Sequence, residues 1–248
     1  MSETQHIVKS YGQELQRLRG LLTEMGGIVE NQMALATQAI RTGDAEAATR
    51  AVALDSSVDA LDRQGEQLVI RMLALRQPMA SDLREIVAAL KITAGMERIG
   101  DYAKNVAKRS IVLAEFRLPF SVTGLLNICR LVQESLKLVI DAIGERDEKK
   151  ALQVWHADEA IDDLYNSIFR ELVTYMMEDA RNITPCTHLL FIAKNLERMG
   201  DHATNIAETL YYAITGERLS DERPKGNTSA YAVVRPPDEP MVERGTAE

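Results

Sequence analysis

Carboxylates recur at helical spacing in this chain, and rows of oxygen donors are how proteins hold hard cations. Glu97, Asp101 and Asn105 stand at i, i+4 and i+8. Glu197, Asp201 and Asn205 repeat the set one hundred positions on. On a helix each set shares one face, with about one turn between members. Further acidic rows are Asp55, Asp59 and Asp62, and Asp158 with Asp162. An all-oxygen cluster of this kind suits Mg²⁺, Mn²⁺, Fe or Zn²⁺. Such a row is intrinsically unfavourable. Like charges at i, i+4 repel by roughly 0.2–0.5 kcal/mol, and Gly100 or Gly200 between them costs about 1 kcal/mol of helix propensity. Helices that carry both features twice gain something in return. Two readings stand. The rows converge on cations, with glycine between the ligands. Alternatively they are solvated helix shoulders, with Arg98 and Arg198 pairing to Asp101 and Asp201 at i+3 and the glycines admitting a neighbouring helix.

Other chemistry is thin. His6, His156, His188 and His202 share no ligand spacing, and the one Glu-x-x-His match, Glu3 to His6, lies near the N-terminus. A di-iron bundle needs that motif on core helices. No Gly-rich phosphate loop, nucleophile elbow or catalytic triad is present in the sequence. Trp155 reads as core, and His202, which replaces Tyr102 in the repeat, reads as a packing residue. Cys129 and Cys186 lack metal-ligand spacing and are expected as buried free thiols in a reducing compartment. Residues 1–10 are polar and do not read as a signal peptide, and no stretch is apolar enough for a membrane span. A cytoplasmic location is the expectation. The net charge of −8 argues against non-specific nucleic-acid binding.

The elements that must position these rows are helices. The 248 residues are 46% hydrophobic but only 5% aromatic, a profile of Leu, Ile, Val, Met and Ala that suits an all-α protein. A first helix is expected over 8–42, on the stripe Leu15, Leu18, Leu22, Met25, Val29, Gln32, Ala36 and Ile40. Gly43 ends it and Asp44 caps the next. A second helix over 45–76 carries the heptad-like seam Leu54, Val58, Leu61, Gly65, Leu68, Met72 and Leu75, and stops at Gln77-Pro78. A third over 82–114, with Ser81 as its cap, carries Ile92, Met96, Ile99, Ala103 and Val106. Pro119 closes this half and Ser121 can cap the next helix.

The second half repeats the first. Asp55, Val58, Asp59 and Leu61 return as Asp158, Ile161, Asp162 and Leu164. The last helix, expected to start at Thr184-Pro185, carries Ile192, Leu196, Met199, Ala203, Ile206 and Leu210. The fold expected is two pseudo-repeated three-helix bundles, six long helices in all, packed side by side or end to end. The bundles span 1–117 and 118–216. Residues 217–248, rich in Pro, Arg and Glu and without apolar period, read as a flexible C-terminal tail.

The duplicated segments Glu97-Arg98-Ile99-Gly100-Asp101-Tyr102-Ala103 with Asn105, and Glu197-Arg198-Met199-Gly200-Asp201-His202-Ala203 with Asn205, resemble the paired motifs of the PhoU family. Arg76-Gln77-Pro78 with Asp82-Leu83-Arg84 resembles that family's lead-in to the third helix. The resemblance covers residues 8–215 and implies a cytoplasmic negative regulator of phosphate uptake and phosphate-starvation signalling. It implies an adaptor, not an enzyme, between the ATP-binding subunit of the phosphate ABC transporter and a sensor histidine kinase. Membrane contact would then be peripheral, through those partners. It also implies metal clusters on Glu97, Asp101, Glu197 and Asp201, and on Asp55, Asp59, Asp158 and Asp162, with Gly100, Gly200, Arg98, Arg198, Asn105 and Asn205 in support. A homodimer fits the long amphipathic helices. The alternative is a carboxylate-cluster metalloprotein with enzymatic or metal-storage activity.

Overall fold

Caps and breakers set the helix ends, and the apolar stripes between them set the packing. The structure, a computed structural model, describes residues 3–118 and 121–219. Pro119 and the tail from residue 220 onward, named above, lie outside the described residues. Six helices follow one another: α1 (Glu3–Thr42), α2 (Ala45–Arg76), α3 (Ala80–Leu113), α4 (Thr123–Glu145), α5 (Glu148–Glu178) and α6 (Ile183–Thr215). A single 3-10 turn, Ala180–Asn182, precedes α6, and the described residues contain no strand.

The α1–α2 corner forms as its residues dictate. Gly43 takes φ +68° and donates its N–H to the Ala39 carbonyl at 2.9 Å. The Asp44 carboxylate then accepts from the Glu46 and Ala47 N–H groups, both at 3.0 Å. That satisfies two of the N–H groups a helix start leaves without partners. Asp147 repeats the device at α5, accepting from Lys149 at 2.8 Å and Lys150 at 3.2 Å. Three expectations need correction. Ser81 lies inside α3, whose cap is Met79, with no side-chain cap bond. Thr184 and Pro185 lie within the first turn of α6, because the 3-10 turn capped by Asp179 runs directly into that helix. Proline is tolerated there because first-turn N–H groups have no intrahelical acceptor. Leu75, placed in the second-helix seam, is 64% exposed; Met72 is the last buried residue of α2.

Helices α1–α3 pack as one bundle and α4–α6 as the other. The two lie side by side. Between them α3 and α6 run antiparallel: Gly95 admits Ile206, the Tyr102 ring lies 5.7 Å from that of His202, and the Arg109 guanidinium stands 4.1 Å over the Phe191 ring. Helix α1 meets α4 where Gly26 admits Ile140. One apolar cluster therefore runs through both bundles, from Met25, Met96 and Ile99 to Ile192 and Leu196.

Glu85 of α3 fastens the arrangement. It accepts from Arg19 of α1 at 2.6 and 3.0 Å and from Arg146, just past α4. Burial pushes its carboxyl up, but the two guanidiniums outweigh this and hold it below the ordinary glutamate range. A lowered pKa adds stability above the unfolded-state value, and that stability is lost as pH falls through the folded-state value. Glu85→Gln should therefore destabilise the protein by about 1–2 kcal/mol near pH 7, between the values for exposed and buried pairs. Urea denaturation should show the deficit shrinking below the ordinary glutamate pKa.

Candidate functional site

Two glycines let the acid-bearing helices come together. A Cβ at Gly100 would stand 3.2 Å from Gln32 Oε1 and 3.3 Å from Val58 Cγ1. At Gly200 it would stand 2.9 Å from Ile161 Cδ1. Close approach of α2 to α3, and of α5 to α6, needs no side chain at these positions. The buried Gln32 amide completes the first contact, donating to the Ala51 carbonyl at 3.0 Å.

In the first bundle this geometry sets Asp55, Asp59 and Asp62 of α2 toward Glu97 and Asp101 of α3. Burial raises the Glu97 carboxyl above its ordinary range, and the charge of Asp101 adds to the effect, as do Asp62 and Asp59 from the facing helix. The Lys104 ammonium joins the rows, 2.8 Å from Asp55 Oδ2 and 2.6 Å from Asp101 Oδ1. Burial works against its charge, yet the two carboxylates hold it well above the usual lysine range.

The second bundle solves the same crowding differently. Asp158 is 2% exposed and accepts from the Thr204 hydroxyl at 3.2 Å. Glu197 receives the Lys194 ammonium at 2.7 Å on Oε1, while its buried Oε2 has no hydrogen-bond donor. Burial raises the Glu197 carboxyl beyond what Lys194 offsets. Asp162 and Asp201 sit half-buried, one turn along from Asp158 and Glu197.

The supporting residues separate into three groups. Gly100 and Gly200 lie at the helix contacts. Arg98 and Arg198 approach Asp101 and Asp201 only at 4.0 and 3.6 Å from largely exposed positions, where ion pairs contribute little. Asn105 and Asn205 are exposed. Cys129 and Cys186 are buried free thiols. Trp155 is buried, its indole N–H donating to Glu208 at 3.0 Å.

The donors are of the type that holds hard cations, but among the described residues no three His, Cys, Asp or Glu side chains are grouped so as to hold a metal ion. Lysine ammonium groups make close ion pairs with Asp55, Asp101 and Glu197. Sequence reasoning missed Lys104, Lys194 and Thr204 as partners of the acids, and it placed Gln32 in the α1 stripe without its hydrogen bond. The first two were accessible, at i+3 after Asp101 and i−3 before Glu197. The repeat concealed them, because Thr204 stands where Lys104 would recur and Ala94 where Lys194 would.

Known proteins share this fold. The family model described as PhoU domain matches residues 22–110 and again 125–210. A "phosphate-specific transport system accessory protein PhoU homolog" of Caulobacter vibrioides (strain NA1000 / CB15N) is 51% identical, over 90% of this chain and 97% of its own. A relative of the same description from Rhizobium meliloti (strain 1021) is 46% identical, over 91% and 95%. Among solved structures, PhoU from Pseudomonas aeruginosa superposes with a TM-score of 0.81 at 38% identity, over 84% of this chain and 100% of that one. The regulatory protein PhoU from Streptococcus pneumoniae gives 0.78 at 28%, over 85% and 99%.

The raised carboxyls make a stability prediction of opposite sign to that for Glu85. A group whose folded-state pKa is raised stabilises while protonated, and that contribution is lost as pH rises through the raised value. Glu97→Gln and Glu197→Gln should each stabilise the protein at pH 7, by at least the roughly 0.2–0.5 kcal/mol of i, i+4 repulsion. Denaturation at pH 7 and near pH 3.5 should show the gain at the first and its loss at the second.

Proposed function

Because this chain belongs to the PhoU family, we propose that it is an accessory regulator of phosphate transport, restraining phosphate uptake and phosphate-starvation signalling when phosphate is plentiful. The observation that carries this reading is the family's domain present twice, once in each bundle, with relatives named as transport accessory proteins over nearly the whole chain. We propose that the protein works by docking, not by catalysis. Its partners would be the ATP-binding subunit of the phosphate ABC transporter and the sensor histidine kinase of the phosphate response. It would act in the cytoplasm and meet the membrane only through these partners. Among the described residues no helix is long and apolar enough to cross a membrane. Exposed Met79 and Met177, 80% and 84% accessible near the ends of α2 and α5, offer apolar contact for partners or for a second copy.

The acidic rows would contribute a cation-dependent contact. Glu97 and Asp101 with Asp55 and Asp59 would hold a hard cation in one bundle, and Glu197 and Asp201 with Asp158 and Asp162 in the other. The raised carboxyls of Glu97 and Glu197 support this reading, since burial is the main cause and neighbouring acids add to it, and a bound Mg²⁺, Mn²⁺, Fe or Zn²⁺ would favour their charged forms. In the first bundle the cation would take over the place of the Lys104 ammonium.

Deleting the gene should raise phosphate uptake and phosphate-response transcription in phosphate-rich medium, and the tagged protein should co-purify with the transporter ATPase. Unchanged uptake together with unchanged transcription would refute the regulatory role. For the cation reading, Lys104→Met should raise the metal retained by protein purified without chelator, as read by elemental analysis; Asp55→Asn added to it should reverse the gain.

A further inference from the structure

The α3–α6 seam has two ends related by the repeat, and they are not filled alike. Contacts across the seam pair residues whose numbers run oppositely, so a contact near one end has a twin near the other. At one end Phe191 of α6 lies beneath the Arg109 guanidinium, 4.1 Å from ring centroid to Cζ, with His188 Nδ1 3.4 Å from Arg109 Nη1. Shifted by the repeat, Phe191, Arg109 and His188 become Lys91, Thr209 and Ala88. Thr209 and Ala88 are much smaller than their twins, and Lys91 replaces an aromatic ring with a flexible cation. A cavity of about 540 Å³ lies there, lined by all three, in the range of small-molecule sites.

The lining is amphiphilic. Leu83, Val87 and Tyr212 give it apolar wall, and Arg84, Lys91 and Arg218 bring three cations against one carboxylate, Glu208. Glu208 is engaged, its Oε1 accepting from Trp155. The Arg84 guanidinium lies flat against Gly216, where a Cβ would meet its Cζ at 3.4 Å. Gly216, at φ +79°, therefore both turns the chain and leaves space for the guanidinium. Arg84 Nε is buried and has no hydrogen-bond partner, an arrangement that is unfavourable until an acceptor arrives. The Arg218 guanidinium stands 5.8 Å from the centre of the half-exposed Tyr212 ring. In a chain of net charge −8, this concentration of cations beside apolar wall is a local inversion of the surface.

We propose that this cavity, between the start of α3 and the end of α6, is a binding site for a small organic phosphate. The phosphate oxygens would take the guanidinium and ammonium donors of Arg84, Lys91 and Arg218. The apolar body would lie on Val87 and Tyr212, in the place Phe191 fills at the twin end. Planar guanidinium forks match phosphate oxygens, and an apolar body beside them favours a substituted phosphate over the inorganic ion.

Phenyl phosphate is the probe, titrated calorimetrically into the full chain, with inorganic phosphate, phenol and benzoate as component controls. Saturable 1:1 binding is expected, about tenfold or more tighter than for any control. Arg84→Gln and Lys91→Gln should each weaken it at least about fivefold. Lys91→Phe combined with Thr209→Arg copies the twin's stacked pair into the cavity and should abolish binding while the thermal midpoint is kept. Absence of saturable binding overturns the proposal, as does affinity unchanged by all three variants. Inorganic phosphate binding as tightly as the ester overturns the role of the apolar body, and benzoate binding as tightly overturns the preference for phosphate.

Discussion

The antiparallel contact of α3 with α6 is the constraint from which the rest follows. A helix in a three-helix bundle needs one buried stripe. These two need more surface, because each must satisfy its own bundle and its counterpart. Their sequences meet that demand with small residues among the large ones. Ala89, Gly100, Ala103 and Ala107 are buried beside Ile92, Met96 and Ile99 on α3, and Ala193, Gly200, Ala203 and Ala207 beside Ile192, Leu196 and Met199 on α6. Close packing of this kind brings the acidic shoulders of α3 and α6 against α2 and α5. The charged rows are thus a consequence of how tightly the central helices are surrounded. Burial is the largest cause of the raised carboxyls at Glu97 and Glu197.

The architecture was largely legible because period and punctuation agreed. The Gly43-Asp44 and Gln77-Pro78 breaks define α2 to the residue, and two copies of one pattern required two copies of one bundle. The errors came where local signals competed. Ser81 is a good cap by residue type, but the chain enters α3 earlier. Thr184-Pro185 looked like a helix start because nothing in the sequence signalled a 3-10 turn before it. For the site, the residue types were legible and the partners were not. Lys104 spans two helices to reach Asp55, a contact that depends on how far α2 and α3 stand apart. Single-helix spacing reports no such distance. The cavity beside Arg84 was invisible for the same reason, since its walls come from α3 and from the end of α6, far apart in the chain.

Duplication also explains why the two bundles share their apolar stripes but not their charge partners. The apolar stripe is a shared packing requirement and is retained in both copies. The compensation of the acids is local, so Lys104 serves one copy while Thr204 and Lys194 serve the other. Each copy reaches a tolerable electrostatic balance by its own route, and neither route disturbs the backbone.

The short capped corner at Gly43-Asp44, and its counterpart at Asp147, bear on how the chain acquires its structure. Within each half, neighbouring helices are close in sequence, and such local contacts form quickly because little chain must be closed to make them. The contact of α3 with α6 joins segments about one hundred residues apart and carries the larger entropic cost. During synthesis the first bundle is complete before α6 has been made, so the flank of α3 that α6 will cover stays open to water throughout that interval. Gly95 leaves that flank indented where Ile206 will seat. Until its own C-terminal half arrives, that apolar flank is surface of the kind on which incomplete chains associate.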